Sequence, residues 1–333
     1  MMKTKVIAEI GVNHNGNIDL AKKLVEGAKL SGADIVKFQY FKAEELVTKD
    51  AASADYQKTN AGINNQYELL KSLEISMEQL KDIKLFCDKL SIEFLCTSFS
   101  EYGLKELCKL GMKKIKIPSG EIDNRPLLFL ASKLDKEIYL STGMSNIDEV
   151  KEAFKIIKRN LNKKLTVMHC TSLYPAPSDS LNINALIDIK KNITNNIGYS
   201  DHSEDYLASC LAITLGASVI EKHITLNKND KGPDHAASLD LKDFSNYVKK
   251  IKETEIILGN RFKAADKREE KTKSLVRKSW HSKCDLDIGV KLDERNVILK
   301  RPLGGISPLI KIYNRKVNKY IPADSPILDV DLD

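Results

Sequence analysis

The chain has 333 residues, of which 42% are hydrophobic and 30% charged, and its formal net charge is +7. This composition is ordinary for a globular protein and excludes a disordered, collagen-like or mainly membrane-spanning chain. At this length we expect one large domain with an appendage, or two unequal domains. The positive charge is compatible with nucleic acid, an anionic surface or an anionic small substrate, so its position along the chain must decide.

We expect no export signal at the amino terminus, because Glu9 interrupts the apolar stretch there. The longest uncharged run, residues 207–220, is shorter than the roughly 18 apolar residues of a membrane helix. We interpret it as a buried helix that leads into a strand. The six cysteines are scattered without a CxxC pair. This pattern favours free thiols and a cytoplasmic protein.

Short β-branched runs alternate with helical stretches along the first two thirds of the chain. Eight such runs begin at Val6, Ile35, Ile92, Lys114, Glu137, Leu165, Asn196 and Val219. Eight strands, each followed by a helix, predict a (β/α)8 TIM barrel of about 250 residues. The alternative is a doubly wound open sheet, which normally carries a glycine-rich phosphate-binding turn after its first strand. Here that strand ends in GVNHNG, which lacks the spacing, so we favour the barrel.

Local signals mark helix ends and a change of composition after the predicted barrel. Ser145, three residues before Asp148, is close to a capping pattern, and Gly259 predicts the end of the closing helix. Residues 261–278 carry eight basic and three acidic residues, whereas the remaining tail has short strand-like pieces and Gly/Pro turns. We predict a barrel over residues 1–260, a basic linker over 261–279 and a small β-rich module over 280–333.

Histidines concentrate where barrel enzymes place their catalytic groups, at the carboxyl ends of the strands. Five of the six lie there: His14, His169, His202, His223 and His235. His202 and His223 follow strands seven and eight, which are neighbours in a barrel, so their imidazoles could share one divalent ion with open coordination positions. Mn²⁺, Co²⁺, Zn²⁺ or Mg²⁺ would suit such a site. Two separate core histidines are the alternative, and the spacing leaves both open.

Lys37, Lys116 and Lys222 interrupt predicted apolar strands. A buried ammonium group is costly without a partner. Together the lysines could hold an anion at the barrel mouth through charge-assisted hydrogen bonds. The alternative is internal ion pairs, with Glu9, Glu121 or Glu221. For Lys37 and Lys116 we favour the anion site, whereas for Lys222 both interpretations stay open. Hydroxyl groups at the same level would complete the cradle: Thr97, Ser98, Ser119, Ser141, Thr142, Ser172 and Ser200.

Glu121 follows the fourth strand in the run PSGEIDN. In a cationic mouth this carboxylate would act as a general base or orient a water molecule, or it would neutralise a lysine. A strand-borne lysine among apolar neighbours is also what a Schiff-base aldolase uses. Several lysines together with two histidines favour metal-dependent chemistry over a Schiff base.

Ordered motifs along the chain resemble those of the sialic acid synthase family, the bacterial enzymes that make nonulosonic acids. They are AEIGVNHNG, VKFQ, KIPSGE, STGM, HCTSLYP, GYSDHS, IEKHITL and GPDHAASLD. The tail, VRKSWHSKCDLDIGVKLDERNVILKRPLGGISP, looks like the antifreeze-like (SAF) domain of that family. The resemblance covers essentially the whole chain. It implies condensation of phosphoenolpyruvate with the open-chain aldehyde of an N-acetylated mannosamine-type sugar, giving a nine-carbon 2-keto acid and phosphate.

The resemblance also implies a role for each matching residue. His202 and His223 would be catalytic metal ligands for Mn²⁺, or for Mg²⁺ or Co²⁺, and Glu121 would be the catalytic carboxylate. Phosphoenolpyruvate would be held by Lys37, Thr97, Lys116, Ser119, Ser141, Ser172 and Ser200. The sugar would be surrounded by Gln39, Tyr174 and Asp234. Arg301 of one subunit's SAF domain would enter the other subunit's site, which implies a domain-swapped homodimer.

Three departures from the family pattern stand out. The third-strand motif reads CTSFS, where the family more often has a proline after the threonine pair. Ser172 stands where Asn or Thr is common. After RPLGGISP the chain continues LIKIYNRKVNKY in place of a short glycine-containing stretch. The first two change small polar contacts, and the third changes the last strand of the tail.

Within the family, the motifs IEKHITL and GPDHAASLD are nearer to the branches that make N-acetylneuraminate or N,N'-diacetyllegionaminate than to pseudaminic acid synthase. Their sugars would be N-acetylmannosamine or 2,4-diacetamido-2,4,6-trideoxymannose. Outside this reaction, the rivals are a Schiff-base sugar aldolase or lyase that uses pyruvate, and a carbohydrate-binding or ice-binding protein suggested by the tail alone. We expect no nucleic acid and no membrane as partner, because aromatic content is 6% and most of the excess charge lies in the linker.

Overall fold

The computed structural model describes residues 3–53, 60–260 and 262–333. The chain divides after Gly259 into two compact units. The predicted linker, residues 261–279, falls in the second unit, and its first residue, Arg261, lies outside the described residues. Within the described part of the chain no helix has the length and apolarity needed to cross a membrane.

A parallel sheet of eight strands forms the centre of the first unit. The strands are β1 (Lys5–Gly11), β2 (Ile35–Tyr40), β3 (Glu93–Ser98), β4 (Lys114–Ile117), β5 (Glu137–Ser141), β6 (Leu165–Cys170), β7 (Ile197–Asp201) and β8 (Val219–Thr225). Neighbours follow chain order, with β8 beside β1. β3 and β4, at the two ends of this order, lie against each other, and an ion pair between Lys114 and Glu93 joins them.

This strand order agrees with the predicted (β/α)8 barrel, because a doubly wound sheet would break the sequential order of neighbouring strands. Each strand also begins within one residue of its predicted start. A two-residue strand, β9 (Leu239–Asp240), pairs with the end of β8.

Helices follow the strands, and their ends have local causes. They are α1 (Ile18–Leu30), α2 (Ala43–Leu46), α3 (Gln66–Leu73), α4 (Met77–Lys89), α5 (Glu101–Lys109), α6 (Arg125–Lys133), α7 (Ile147–Lys158), α8 (Ala185–Asn192), α9 (Leu207–Thr214) and α10 (Leu241–Leu258). Asn146 and Glu149 form a capping box at the start of α7, so the predicted cap at Ser145 is one residue early. α10 ends at Gly259, as predicted, where φ is 59° and a side chain would be strained.

Residues 207–220 were expected to form a buried helix followed by a strand. α9 and β8 do form in this order. Ala208, Ala212 and Ile213 are buried, but Leu207 and Leu211 are 58% and 48% exposed. The expectation of full burial is therefore wrong, because the uncharged run also supplies the outer face of α9.

Strand β2 shows how a strand divides its side chains between the helices and the barrel interior. In β2, Val36 and Phe38 belong to the hydrophobic core between sheet and helices, whereas Lys37 and Gln39 have the opposite orientation. Successive side chains of a strand point to opposite faces. In β2 the barrel interior therefore receives the polar side chains, and the apolar ones pack against the helices.

The second unit contains a short antiparallel strand pair and has its own apolar core. β10 (Ser279–Ser282) pairs antiparallel with β11 (Val297–Lys300). The core residues are Leu286, Leu292, Val297, Ile306, Ile312, Val317, Ile321, Ile327 and Leu332. A short helix, α11 (Glu270–Val276), lies within the predicted linker. The assignment of residues 280–333 as a small β-rich module stays a prediction, because regular strand pairing in the described tail is limited to β10 and β11.

Candidate active site

Two lysines and two glutamates form a buried charge cluster inside the barrel. Lys116 Nζ lies 2.7 and 2.8 Å from the two carboxylate oxygens of Glu221. Lys37 Nζ lies 3.5 Å from Glu221 Oε1 and 3.0 Å from Glu9 Oε2. Each of the four side chains is at most 5% exposed. We call these four residues the barrel charge cluster.

The preference for an anion site without internal ion pairs at Lys37 and Lys116 was therefore wrong, because both lysines have carboxylate partners. The physical reason is that a buried ammonium group needs a counter-charge within the protein. Sequence reasoning treated Glu9 and Glu221 only as possible partners and missed them as members of the site. The signal was available, because both glutamates interrupt apolar strands as the lysines do.

The protonation states in the barrel charge cluster follow from burial and proximity. Burial by itself would raise the pKa of Glu221, but the ammonium groups of Lys116 and Lys37 lower it to about 2. Burial by itself would lower the pKa of Lys37, but the nearby carboxylates of Glu221 and Glu9 raise it above its ordinary value. For Glu9 burial is the largest effect and raises the pKa. When Glu9 is protonated, the cluster carries a net positive charge at the barrel mouth.

Lys222 is in an ion pair as well, but with a partner that the sequence did not suggest. Its Nζ lies 3.4 Å from Asp201 Oδ1, and both side chains are fully buried. Glu221 and His223, the residues on either side of Lys222, point into the barrel, so Lys222 points outward. Lys222 is therefore not part of the cationic mouth.

Three of the predicted hydroxyl groups lie close to Gly143 or to Glu221. Ser119 Oγ accepts a hydrogen bond from the backbone N–H of Gly143 at 2.9 Å. A Cβ atom on Gly143 would lie 2.2 Å from Ser172 Oγ and 2.9 Å from Ser119 Oγ, so these two serines converge on the glycine. Ser200 Oγ donates to Glu221 Oε1 at 3.1 Å.

Other hydroxyl groups of the predicted cradle have different surroundings. Ser141 Oγ is buried without a hydrogen-bond partner among the described residues. Thr97 Oγ1 accepts a hydrogen bond from Lys37 Nζ at 3.3 Å and so contacts the barrel charge cluster. Ser98 and Thr142 donate to the backbone carbonyls of Ser100 and Met168, as Ser200 donates to Glu221, and an anion-binding role for these hydroxyl groups stays a prediction.

Glu121 lies in a single 3-10 turn, Ser119–Glu121, directly after β4. Its Oε2 accepts a hydrogen bond from the Asn124 amide at 2.5 Å. Half burial raises the pKa of this carboxyl, with a smaller increase from Asp123, while the hydrogen bond from Asn124 acts against both. No lysine forms an ion pair with Glu121 among the described residues, so the structure does not support lysine neutralisation as its role.

His202 and His223 come together as the position of their strands predicted, with ring centroids 5.5 Å apart. His202 Nδ1 donates to the carbonyl of Thr171 at 2.7 Å, which leaves the Nε2 lone pair for another partner. His223 Nδ1 is buried with no hydrogen-bond partner among the described residues. Cys170 Sγ lies 3.8 Å from His202 Nδ1.

The two imidazoles fit a divalent metal ion, because one nitrogen on each ring is uncommitted and neutral imidazole is a common ligand of transition metals. Burial and the neighbouring imidazole of His202 keep the pKa of His223 well below its ordinary value, so the ring is in its ligating, neutral form. The described residues contain no group of three or more His, Cys, Asp or Glu side chains placed around one metal position.

Three residues predicted to surround the sugar lie close to this pair or to the barrel charge cluster. The Tyr174 ring centroid is 4.2 Å from that of His202 and 5.7 Å from that of His223. Asp234 Oδ2 is 3.9 Å from His223 Nδ1, and burial raises the Asp234 pKa to about 6. Gln39 donates to Glu9 Oε1 at 3.0 Å. The fourth predicted residue, Arg301, belongs to the second unit and follows β11.

The remaining strand-end histidines have separate structural partners. His14 Nδ1 accepts from the backbone N–H of Gly16 at 3.0 Å, and His169 Nε2 donates to the carbonyl of Leu181 at 2.8 Å. His235 Nδ1 lies 2.7 Å from Thr225 Oγ1. The number of histidines at strand ends was therefore a weaker signal of a catalytic site than the count of five indicated.

A family model described as "NeuB family" matches residues 24–263. The chain is 44% identical over 312 residues to the N,N'-diacetyllegionaminic acid synthase of Campylobacter jejuni, with 93% of each chain covered. It is 42% identical over 330 residues to the enzyme of the same name from Legionella pneumophila, covering 97% of this chain and 93% of the relative.

Among solved structures, the chain resembles an N-acetylneuraminic acid (sialic acid) synthetase from Leptospira borgpetersenii in complex with citrate. The TM-score is 0.72 at 28% sequence identity, and the likeness covers 81% of this chain and 90% of the other. The family match spans well over half of the chain, and the two relatives are similar over nearly their full lengths. This chain belongs to the NeuB family.

Proposed function

We propose that this protein is a nonulosonic acid synthase that condenses phosphoenolpyruvate with the open-chain aldehyde of an N-acetylated mannosamine-type sugar. In this reaction C3 of phosphoenolpyruvate bonds to the aldehyde carbon, water adds at C2, and phosphate leaves to give a nine-carbon 2-keto acid. The observation that carries the proposal is the barrel charge cluster beside the His202–His223 pair. The similarity to enzymes named for such a product supports it.

Phosphoenolpyruvate carries a phosphate and a carboxylate, and both need positive charge and hydrogen-bond donors. Lys37 and Lys116 would supply the charge, through charge-assisted hydrogen bonds of about 1.5–3 kcal/mol each. The hydroxyl donors would be Thr97, Ser119, Ser141, Ser172 and Ser200. The convergence of Ser119 and Ser172 on Gly143 supports this assignment, because the missing side chain lets both hydroxyl groups approach one point of the backbone.

We propose that His202 and His223 hold a divalent cation, Mn²⁺ in the first instance, with Mg²⁺ or Co²⁺ as substitutes. Bound there, the metal would supply Lewis acidity toward the sugar aldehyde. Gln39, Tyr174 and Asp234 would orient the sugar. Glu121 would move a proton, and its raised pKa supports that role because a carboxyl that titrates nearer to neutrality exchanges protons more readily.

For the sugar, we propose 2,4-diacetamido-2,4,6-trideoxymannose, so that the product is N,N'-diacetyllegionaminate. The support is the name of two relatives that are 44% and 42% identical over nearly the whole chain. The test supplies purified protein with phosphoenolpyruvate, Mn²⁺ and either this sugar or N-acetylmannosamine, and measures phosphate release and product mass. Faster turnover of N-acetylmannosamine would reassign the protein as a sialic acid synthase. No phosphate release with either sugar would refute the proposed reaction.

The metal is tested separately from the reaction. His223→Ala and treatment with a chelator should each remove activity, and added Mn²⁺ should restore only the chelated wild type. Full activity of both metal-depleted wild type and His223→Ala would refute the metal assignment while leaving the condensation intact.

A Schiff-base aldolase is the second candidate, and one observation favours it. Burial lowers the pKa of Lys116, as the chemistry of a nucleophilic lysine requires. Its bidentate contact with Glu221 argues against it, because that carboxylate stabilises the protonated ammonium group. Borohydride reduction in the presence of pyruvate would label an aldolase covalently and leave a phosphoenolpyruvate-dependent synthase unlabelled.

We further propose that the second unit is an antifreeze-like (SAF) domain whose Arg301 completes the site of a partner subunit in a swapped homodimer. The antiparallel strand pair and separate apolar core support the domain assignment. Mixing inactive Arg301→Ala with inactive Glu121→Gln protein should restore activity, because a mixed dimer would contain one intact site. A monomer in light scattering would contradict the swapped dimer. Six free cysteines support a reducing, cytoplasmic location.

A further inference from the structure

A second buried ion pair lies on the outer face of β7 and β8, directly behind the two histidines. Asp201 and Lys222 are partners in the parallel ladder, and both side chains have zero exposure. His202 and His223 are the next residues along the chain, so their side chains point to the opposite face, into the barrel. Any shift of one strand relative to the other at this pair would therefore change the separation of the imidazoles.

The Asp201 carboxylate is saturated with hydrogen bonds. Oδ1 accepts from the backbone N–H and the hydroxyl of Ser203 at 2.9 and 2.6 Å, and Oδ2 accepts from Ser209 Oγ at 2.7 Å and Tyr247 OH at 3.0 Å. Lys222 donates to the carbonyl of Ser203 and lies 5.5 Å from the centroid of the Tyr247 ring. Ser209 belongs to α9 and Tyr247 to α10, so one carboxylate connects two strands with two helices.

Such a network is better explained by geometry than by stability. The desolvation of a buried ion pair offsets most of its Coulombic gain, and apolar replacements of similar volume are often as stable. A fully satisfied polar network instead permits one arrangement of its members. Metal ligands need this restriction, because a site tolerates errors of only about 0.5 Å in the position of its side chains.

We infer that Asp201, Lys222 and Tyr247 are positioning residues that set the separation and orientation of His202 and His223 for metal binding. The inference rests on the proposed metal role of these two histidines. Groups hydrogen-bonded to metal ligands typically contribute about 10–100-fold to metal affinity, and for residues that act through the strands we expect the lower end of this range.

The test measures Mn²⁺ binding to metal-free protein by titration calorimetry, for wild type, Tyr247→Phe and Lys222→Met. Tyr247→Phe keeps the ring and removes one hydrogen bond, so it is the milder change, and we expect about 10-fold weaker Mn²⁺ binding. Lys222→Met should weaken binding further. The matched control is Lys114→Met, which removes a buried lysine from an ion pair between β3 and β4 and should bind Mn²⁺ as wild type does.

Two further measurements separate positioning from a general loss of structure. With Co²⁺ as the probe, Tyr247→Phe should change the visible absorption spectrum, which reports ligand geometry. In turnover, kcat should fall while the KM for phosphoenolpyruvate stays unchanged. Wild-type Mn²⁺ affinity in both Tyr247→Phe and Lys222→Met would overturn the inference and leave the proposed reaction intact. Equal weakening in Lys114→Met would also overturn it, and a wild type that binds no Mn²⁺ would overturn both this inference and the metal assignment.

Discussion

Substitution of Lys116 by methionine tests the energetics of the barrel charge cluster. The Glu221 carboxylate would lose its bidentate partner at 2.7 and 2.8 Å while remaining buried. Removal of one member of a buried ion pair costs about 3–5 kcal/mol, because an uncompensated charge is left behind. Lys37 remains 3.5 Å from the same carboxylate, so we expect the lower end, about 3 kcal/mol.

For a unit of this size, a loss of about 3 kcal/mol corresponds to a decrease of about 6–12 °C in Tm. Calorimetric unfolding at pH 7 measures this decrease, and urea unfolding gives the free energy independently. Lys114→Met is the control, because its partner, Glu93, is 24% exposed and water can solvate the remaining charge. There we expect a loss of no more than about 1 kcal/mol.

The double variant Lys116→Met/Glu221→Gln removes both charges and should be more stable than Lys116→Met alone by at least about 1 kcal/mol. This recovery distinguishes an unpaired charge from a packing defect. If Lys116→Met loses no more stability than Lys114→Met, or if the double variant is less stable than the single one, the reasoning about a buried uncompensated carboxylate is refuted.

Three further predictions concern the site and the pH dependence of stability. Gly143→Ala should raise the KM for phosphoenolpyruvate at least about 10-fold in a phosphate-release assay. The new Cβ would lie 2.2 Å from Ser172 Oγ and 2.9 Å from Ser119 Oγ and would displace both hydroxyl groups. An unchanged KM would contradict the proposed anion cradle. Glu121→Gln should lower kcat about 10²–10⁴-fold with little change in KM, and activity near wild type would exclude proton transfer by this residue. Burial lowers the pKa of His14 from 6.5 to about 4. As the pH decreases, His14 is therefore protonated in the unfolded chain before it is protonated in the folded protein, and the free energy of unfolding falls between these two pKa values. Urea unfolding at pH 7, 5.5 and 4 should show a smaller decrease for His14→Gln, and an unchanged pH dependence would contradict the assignment.

Much of the barrel could be predicted because its signals are local. A strand buried on both faces needs a short β-branched run, so strand starts were predicted to within one residue. A helix start needs a capping side chain, which is a local signal as well. The errors came from ambiguity between neighbouring residues or faces. Ser145 and Asn146 are both good caps, and only the backbone geometry selects Asn146. The uncharged sequence of α9 could not show that Leu207 and Leu211 face outward.

The sequence predicted that His202 and His223 lie together, but not which charged residues are partners. Placement at strand ends was sufficient to bring His202 and His223 together, because neighbouring strands in a barrel hold their carboxyl ends side by side. Ion pairing depends on which face each side chain points to and on contacts between distant strands. For this reason Lys116, on β4, pairs with Glu221, on β8, and Lys222 pairs with Asp201 instead of a glutamate in the mouth.

The sequence by itself determined the barrel, the position of the polar residues at its carboxyl end and the family resemblance, because periodicity and ordered motifs are properties of the chain. Only the tertiary structure decided which charges neutralise each other and which histidines have an uncommitted nitrogen. The barrel charge cluster joins side chains that are up to 212 positions apart, Glu9 and Glu221. Burial and closure of the barrel, not spacing along the chain, set their protonation states.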